Sequence, residues 1–441
     1  MTTASARIAG EGQEHDLVTP PHHGAGTQPS RFFTNLLVGV TAFYIVVTSV
    51  SPYLYGWLIG PMLACACPIA LLAAGRIPLG GYLWTIALTC LGLIGSLLGY
   101  IWGNPGVTQT LSIYVLEPFV LGVFFCSVAT IGTWRNALIR ILDIAALGVA
   151  VVGILMFLAF AVGVDMPEWI IGERHRTVDL SQGVARTNYQ GYGSLAFLAP
   201  YAIMRFALSR RSERRIWPIV ILIPTIAGVL LSGRNIYFIA IPVACLTVWF
   251  VRRQAMTRRP ARNTALPGAL RWLVMAGLFG LFLVAFTALI GMDLRSLSNR
   301  MVSQIDLADG SAVRGGQAEF LLDAWGDRPI FGHGAGAVVP GMIRNVESPW
   351  TFELTYLTML LCFGMVGFLV LTIWGAWVLW RLAPLSVCAD GGSAAILAGF
   401  VGSVIAASIN PYLTKIDGMW MVMVPFAIAS VAPQLRKDPN R

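Results

Sequence analysis

Apolar residues come in long runs along this chain, and the polar stretches between them are short except in two places. The runs fall at about 35–52, 56–74, 81–102, 111–133, 141–163, 192–209, 216–232, 235–251, 271–291, 352–380, 393–409 and 418–433. Crossing the hydrocarbon core of a bilayer takes about 20 apolar residues in a helix. Only helices and closed barrels satisfy their backbone hydrogen bonds in lipid. The pattern therefore predicts an all-α polytopic membrane protein with about twelve transmembrane helices. The larger break, residues 292–350, separates the ninth run from the tenth and is rich in Gly, Asp and Arg. A loop of that length is usually functional or disordered. Inside it, Ala312 to Trp325 has a helical pattern, with Val313, Phe320, Leu321 and Ala324 on one aspect and Arg314, Gln317 and Asp323 on another. The expectation is a large, folded, helical outer loop with its helix at the membrane surface.

Divided this way, the chain has a disordered tail over 1–30, helices one to nine over 31–291, and an extracytoplasmic functional loop over 292–350. Helices ten to twelve follow over 351–434, then a short tail over 435–441. No apolar stretch stands at the very start, so no cleavable signal peptide is expected. Composition agrees with a bilayer protein: 56% of the 441 residues are hydrophobic and only 12% charged, against about 25% charged in soluble domains. The net charge of +9 sits in short loops rather than along one face, which argues against a nucleic-acid partner. Those loops hold Arg76; Arg135 and Arg140; Arg210, Arg211, Arg214 and Arg215; Arg252, Arg253, Arg258, Arg259 and Arg262; and Arg381. Arg436, Lys437 and Arg441 follow at the end. They occupy every second loop, so the positive-inside rule places both termini in the cytoplasm. Residues 164–191 and 292–350, the Ser232–Asn235 turn and Asn410–Pro411–Tyr412 then lie outside the cytoplasmic (inner) membrane.

Few residues in this arrangement can do chemistry. None of the seven cysteines lies in a long polar loop, so neither a disulfide framework nor a thiolate metal site is expected. No metal-ligand cluster and no phosphate-binding P-loop stands out, so no cofactor is expected. Asp327, Arg328 and Pro329 stop the surface helix, and Gly332, Gly334 and Gly336 make a flexible turn around His333. This GxGxG does not follow a strand, which favours a tight turn over a dinucleotide site. Glu353 opens the tenth apolar run, and Glu117 lies inside the fourth, beside Pro118. A carboxylate there is costly unless solvated or paired. The plainer reading of Glu353 is an acid favoured at a helix start, and that of Glu117 a structural hydrogen bond at a kink.

The segment Arg314 to Trp325, then Arg328-Pro329-Ile330-Phe331-Gly332-His333-Gly334-Ala335-Gly336, resembles the O-antigen ligase/polymerase superfamily of membrane glycosyltransferases. So do Glu353-Leu354-Thr355-Tyr356-Leu357, the following Gly364-Met365-Val366-Gly367, the SGRN turn and the late Asn410-Pro411. The ligase branch has His where this chain has Glu353, a departure that leans toward a polysaccharide polymerase. The resemblance implies transfer of a glycan from an undecaprenyl-diphosphate-linked oligosaccharide to a sugar hydroxyl, without metal. It implies Glu353 as the base at the acceptor, and Arg234 and Arg314 as cations for the departing diphosphate, a task suited to the guanidinium fork. Arg186, Arg328, His333, Tyr356 and Asn410 are the implied substrate-binding residues. Membrane lipids, a chain-length regulator and a flippase of the same pathway are the implied partners. Ligase-type transfer to a lipid or protein acceptor, a polysaccharide transporter or flippase, and an envelope scaffold subunit remain as alternatives.

Overall fold

The computed structural model of the protein describes residues 30–52, 56–74, 78–162, 164, 178–179, 186–187, 189–209, 216–234, 236–257, 308–343, 346–387 and 391–437. Every apolar run named above except 271–291 coincides with a described helix. That run and the 1–29 part of the tail lie outside the described residues. The helices are α1 (Arg31–Val50), α2 (Gly56–Ala73), α3 (Leu79–Ile101), α4 (Val107–Leu111), α5 (Glu117–Val128) and α6 (Trp134–Ala161). They continue with α7 (Leu195–Ala207), α8 (Ile216–Leu231), α9 (Ile236–Thr257), α10 (Ala308–Asp327), α11 (Thr355–Leu382), α12 (Gly392–Ala406) and α13 (Ile416–Lys437). A two-residue antiparallel pair, β1 (Val178–Asp179) with β2 (Arg186–Thr187), lies between α6 and α7. Seven helical stretches among the described residues are long and apolar enough to cross a membrane, and three shorter apolar helices accompany them. The architecture is that of an all-helical, multi-pass membrane protein.

The main core runs through α1, α5, α6, α7, α12 and α13, where Trp134, Trp420, Tyr44, Phe197 and Phe426 are fully buried. Small residues let these helices approach closely, as in membrane bundles generally. Gly399 of α12 faces the ring of Phe197 on α7, and Gly402 lies against the Ala196 carbonyl. Between α4 and α5 the chain forms a π-helical turn, Ser112–Leu116, just ahead of Glu117 and Pro118. The expected kink is thus a widened turn: proline cannot donate a helical hydrogen bond, and the extra residue takes up the misfit.

Helix α11 is broken. At Gly364 the backbone turns to φ 62°, a left-handed value open chiefly to glycine. The break would leave carbonyls exposed to lipid, and the preceding loop satisfies them. His333 N–H donates to the Leu361 carbonyl at 2.7 Å, and Gly334 N–H to that of Cys362 at 3.0 Å. In return Met365 and Val366 N–H donate to the carbonyls of Pro329 and Ile330 at 2.9 and 3.1 Å. A Cβ on Gly334 would stand 2.2 Å from the backbone nitrogen of Gly99 on α3. The turn that the sequence suggests to be flexible is therefore stitched between α3 and α11 by its own backbone.

Helix α10 extends the predicted Ala312–Trp325 segment at both ends and stops before Arg328 as expected. Its buried face differs from the one predicted. Gln317 and Leu321 are 2% and 1% exposed, whereas Phe320 is 43% exposed. Leu321 packs with Ala337, Val339, Phe352 and Leu361 in a second small core. Gln317 can lie beside it because its side-chain amide is satisfied by a backbone partner.

Candidate functional site

That partner is Glu353, whose N–H donates to Gln317 Oε1 at 3.1 Å. Glu353 stands in the turn before α11, two residues ahead of Thr355, rather than in the first helical turn. Thr355 Oγ1 donates to the Asn410 carbonyl at 3.0 Å. The same carbonyl accepts from the Tyr412 N–H at 2.8 Å, which clips the 3₁₀ turn Tyr412–Thr414 against the start of α11. Tyr412 in turn reaches Arg234. The Arg234 Nη1 donates to the Tyr412 hydroxyl at 2.5 Å, and its guanidinium lies 5.4 Å from the centre of that ring.

A local turn fixes Arg234. Gly233 adopts φ 58° and the Arg234 N–H donates to Ser232 Oγ at 3.3 Å, so the chain turns at Ser232–Gly233–Arg234. Behind Arg234, the Tyr237 hydroxyl donates to the Tyr192 carbonyl and stands 3.5 Å from the Tyr412 hydroxyl. Burial works against the charge on Arg234, but the Tyr412 and Tyr237 hydroxyls outweigh it and hold the pKa above its ordinary value. Arg234, Asn410 and Glu353 are thus joined, through Tyr412 and Thr355, in one chain of contacts. It starts at the α8–α9 turn, passes through the α12–α13 connection and ends at the entrance of α11.

Below this chain lies an apolar cavity of about 550 Å³, walled by α3, the π turn, α11, α12 and α13. Thr355 and Tyr356 are among its wall residues, with Tyr114, Phe363, Trp374 and Met419. The Tyr356 hydroxyl is committed to the Val404 carbonyl, so the ring contributes surface rather than a free donor.

Arg328 and His333 belong to a separate group around Trp102. The Arg328 guanidinium stacks 3.7 Å from the centre of the Trp102 ring, with the His333 ring edge-on at 6.5 Å. A carbonyl can only accept, so the 2.5 Å contact between His333 Nε2 and the Ala324 carbonyl puts the proton on Nε2 and commits it there. Asn104 Nδ2 donates to the His333 and Ala335 carbonyls at 2.7 and 3.1 Å. These contacts give His333 a place in the stitched turn. Arg186 pairs opposite Asp179 in the strand pair, and Arg314 lies on α10 three residues before Gln317. The side chains of both lie outside the described residues.

Several residues at this end escape the sequence reading. Tyr412 follows Asn410–Pro411, but a lone tyrosine carries no motif, and its partner lies 178 positions away. Gln317 reads as solvent-facing because its buried partner is a backbone N–H. Asp417 accepts from Gln190 Nε2 at 3.3 Å, which brings the start of α13 against the turn before α7. Glu117 Oε2 is buried without a hydrogen-bond partner among the described residues. No protein-family model and no curated protein matches the chain.

Proposed function

We propose that the protein polymerises lipid-linked polysaccharide repeat units at the outer face of the cytoplasmic membrane, with both termini in the cytoplasm. The observation that carries this reading is the adjacency of two unlike environments. An apolar cavity of about 550 Å³ has Thr355 and Tyr356 in its wall, and Glu353 and Asn410 stand directly beside them. A lipid-linked glycan needs this combination of an apolar berth for the carrier and polar groups at its mouth.

In the proposed reaction Glu353 takes the proton of an acceptor sugar hydroxyl. The hydroxyl oxygen forms a bond to the anomeric carbon of the donor, and the bond from that carbon to the diphosphate breaks. The carrier diphosphate leaves with its charge held by Arg234 and Arg314, and the product is a longer lipid-linked glycan. Fixed cations aimed at the leaving group act where charge develops. Arg186, Arg328 and His333 would contact the glycan, and a chain-length regulator and a flippase would act beside the enzyme. Purified protein in nanodiscs, given an undecaprenyl-diphosphate-linked oligosaccharide, should yield a ladder of longer products, and Glu353→Gln should stop the ladder while retaining donor binding. Normal turnover by Glu353→Gln would remove the base from this scheme.

A transporter is the second reading, favoured by the break in α11 at Gly364 beside the cavity, since discontinuous helices commonly frame transport sites. Movement of the lipid-linked glycan across proteoliposomes without elongation would decide for it.

A further inference from the structure

The hydrogen bonds around Arg234 run in one direction only. An arginine can only donate, so the Tyr412 oxygen is the acceptor in the Arg234–Tyr412 contact. A carbonyl can only accept, so the Tyr237 proton is committed to the Tyr192 carbonyl. The Tyr412 proton is left facing the Tyr237 oxygen across 3.5 Å, at the outer limit of hydrogen bonding. A hydroxyl that accepts from a cation while its own proton is loosely held is polarised toward donation. Tyr412 is half-buried, and its backbone is anchored through Asn410 to Thr355 at the cavity wall.

We infer that Tyr412 is a second donor to the leaving diphosphate, turning its hydroxyl from Tyr237 to a phosphate oxygen that Arg234 also holds. The inference rests on the proposed reading of the site and adds a residue to it. The two donors come from the α8–α9 turn and the α12–α13 connection, so a bound diphosphate would bridge these two elements. No covalent step is asked of Tyr412: it keeps its proton and shares it.

The test uses the full chain in nanodiscs, with undecaprenyl diphosphate as the probe and undecaprenol as the control. The wild-type protein should prefer the diphosphate to the alcohol. Tyr412→Phe keeps the ring beside Arg234 but removes the hydroxyl. It should weaken diphosphate binding or slow elongation by about tenfold to a hundredfold, the range expected for one hydrogen bond to a charged group, and leave undecaprenol binding unchanged. A fluorinated tyrosine at position 412 keeps the shape while making the hydroxyl a stronger hydrogen-bond donor. Diphosphate binding should then tighten, and undecaprenol binding should not change. If Tyr412→Phe binds and turns over like the wild type, or the fluorinated tyrosine leaves diphosphate binding unchanged, the role of Tyr412 is overturned while the polymerase reading stands. If the wild-type protein itself fails to distinguish the diphosphate from the alcohol, the donor-site reading falls, and Tyr412's role with it.

Discussion

The two ends of the helix bundle use the same residue types to opposite effect. At one end Asp143 of α6, 2% exposed, accepts from the Tyr201 hydroxyl at 2.9 Å and the Trp217 indole at 3.1 Å, joining α6, α7 and α8. Arg252 donates to the Ser386 carbonyl, and Arg135 reaches Ser393 Oγ at 3.3 Å. Charge and aromatic groups there close helix ends onto one another. At the other end Arg234 and Tyr412 also pair, but both are half-buried and the pair stands in turns rather than in a packed core. A cavity lies below them, with Thr355 in its wall. The difference shows what separates a structural polar network from a candidate site. It is not the presence of charge but its setting: packed helix ends in the first case, turns beside an apolar cavity in the second.

Substitutions can break or sharpen this contrast. The largest effect expected is from Arg234→Ala, which should lower elongation by more than about a hundredfold, since charge-assisted hydrogen bonds are the strong ones. The melting point should hardly move, and Lys should rescue poorly for want of the planar fork. A collapse of the fold in this variant would put Arg234 in the same class as Asp143. Next, Asp143→Ala strands the Trp217 donor and leaves the Tyr201 hydroxyl to the Ile139 carbonyl, 3.1 Å away, and should cost about 2 kcal/mol of stability. The folded fraction should turn over at the wild-type rate, as chemical denaturation paired with a rate per folded molecule would show. Gln317→Leu leaves the Glu353 N–H without its acceptor, and about tenfold slower elongation is expected with about 1–2 kcal/mol of lost stability. An unchanged rate would detach α10 from the site. The smallest effect belongs to Gly315→Ala or Gly316→Ala, where an added Cβ meets nothing within 4 Å. Each should stabilise α10 by about 0.5–1 kcal/mol, visible as a small rise in melting point with turnover intact.

Much of the fold is legible in the sequence because lipid imposes one rule everywhere: an apolar run must satisfy its backbone internally. The described apolar helices follow from that rule, and the helical pattern over Ala312–Trp325 with its stop at Arg328 from periodicity and simple breakers. The site is less legible. Arg234, Glu353 and Asn410 are conspicuous as polar residues at the ends of apolar runs, and the structure links them. Tyr412 and Gln317 are not conspicuous, because their meaning comes from partners distant in sequence. Phe320 misleads for a related reason. Periodicity assigns it inward by its apolarity, but the buried face is chosen by what Leu321 and Gln317 meet across the interface.

The glycine-stitched turn also decides whether α11 can remain broken at Gly364. The Leu361 and Cys362 carbonyls find their donors in His333 and Gly334. Without the turn, the broken helix would carry open carbonyls, each costing several kcal/mol in lipid. The loop and α11 are therefore mutually dependent: each supplies donors to the other, while the Ala335 N–H ties the loop to the Gly95 carbonyl of α3. Cys362, buried beside this seam, should become accessible to a membrane-permeant thiol reagent when a substitution in the turn displaces it.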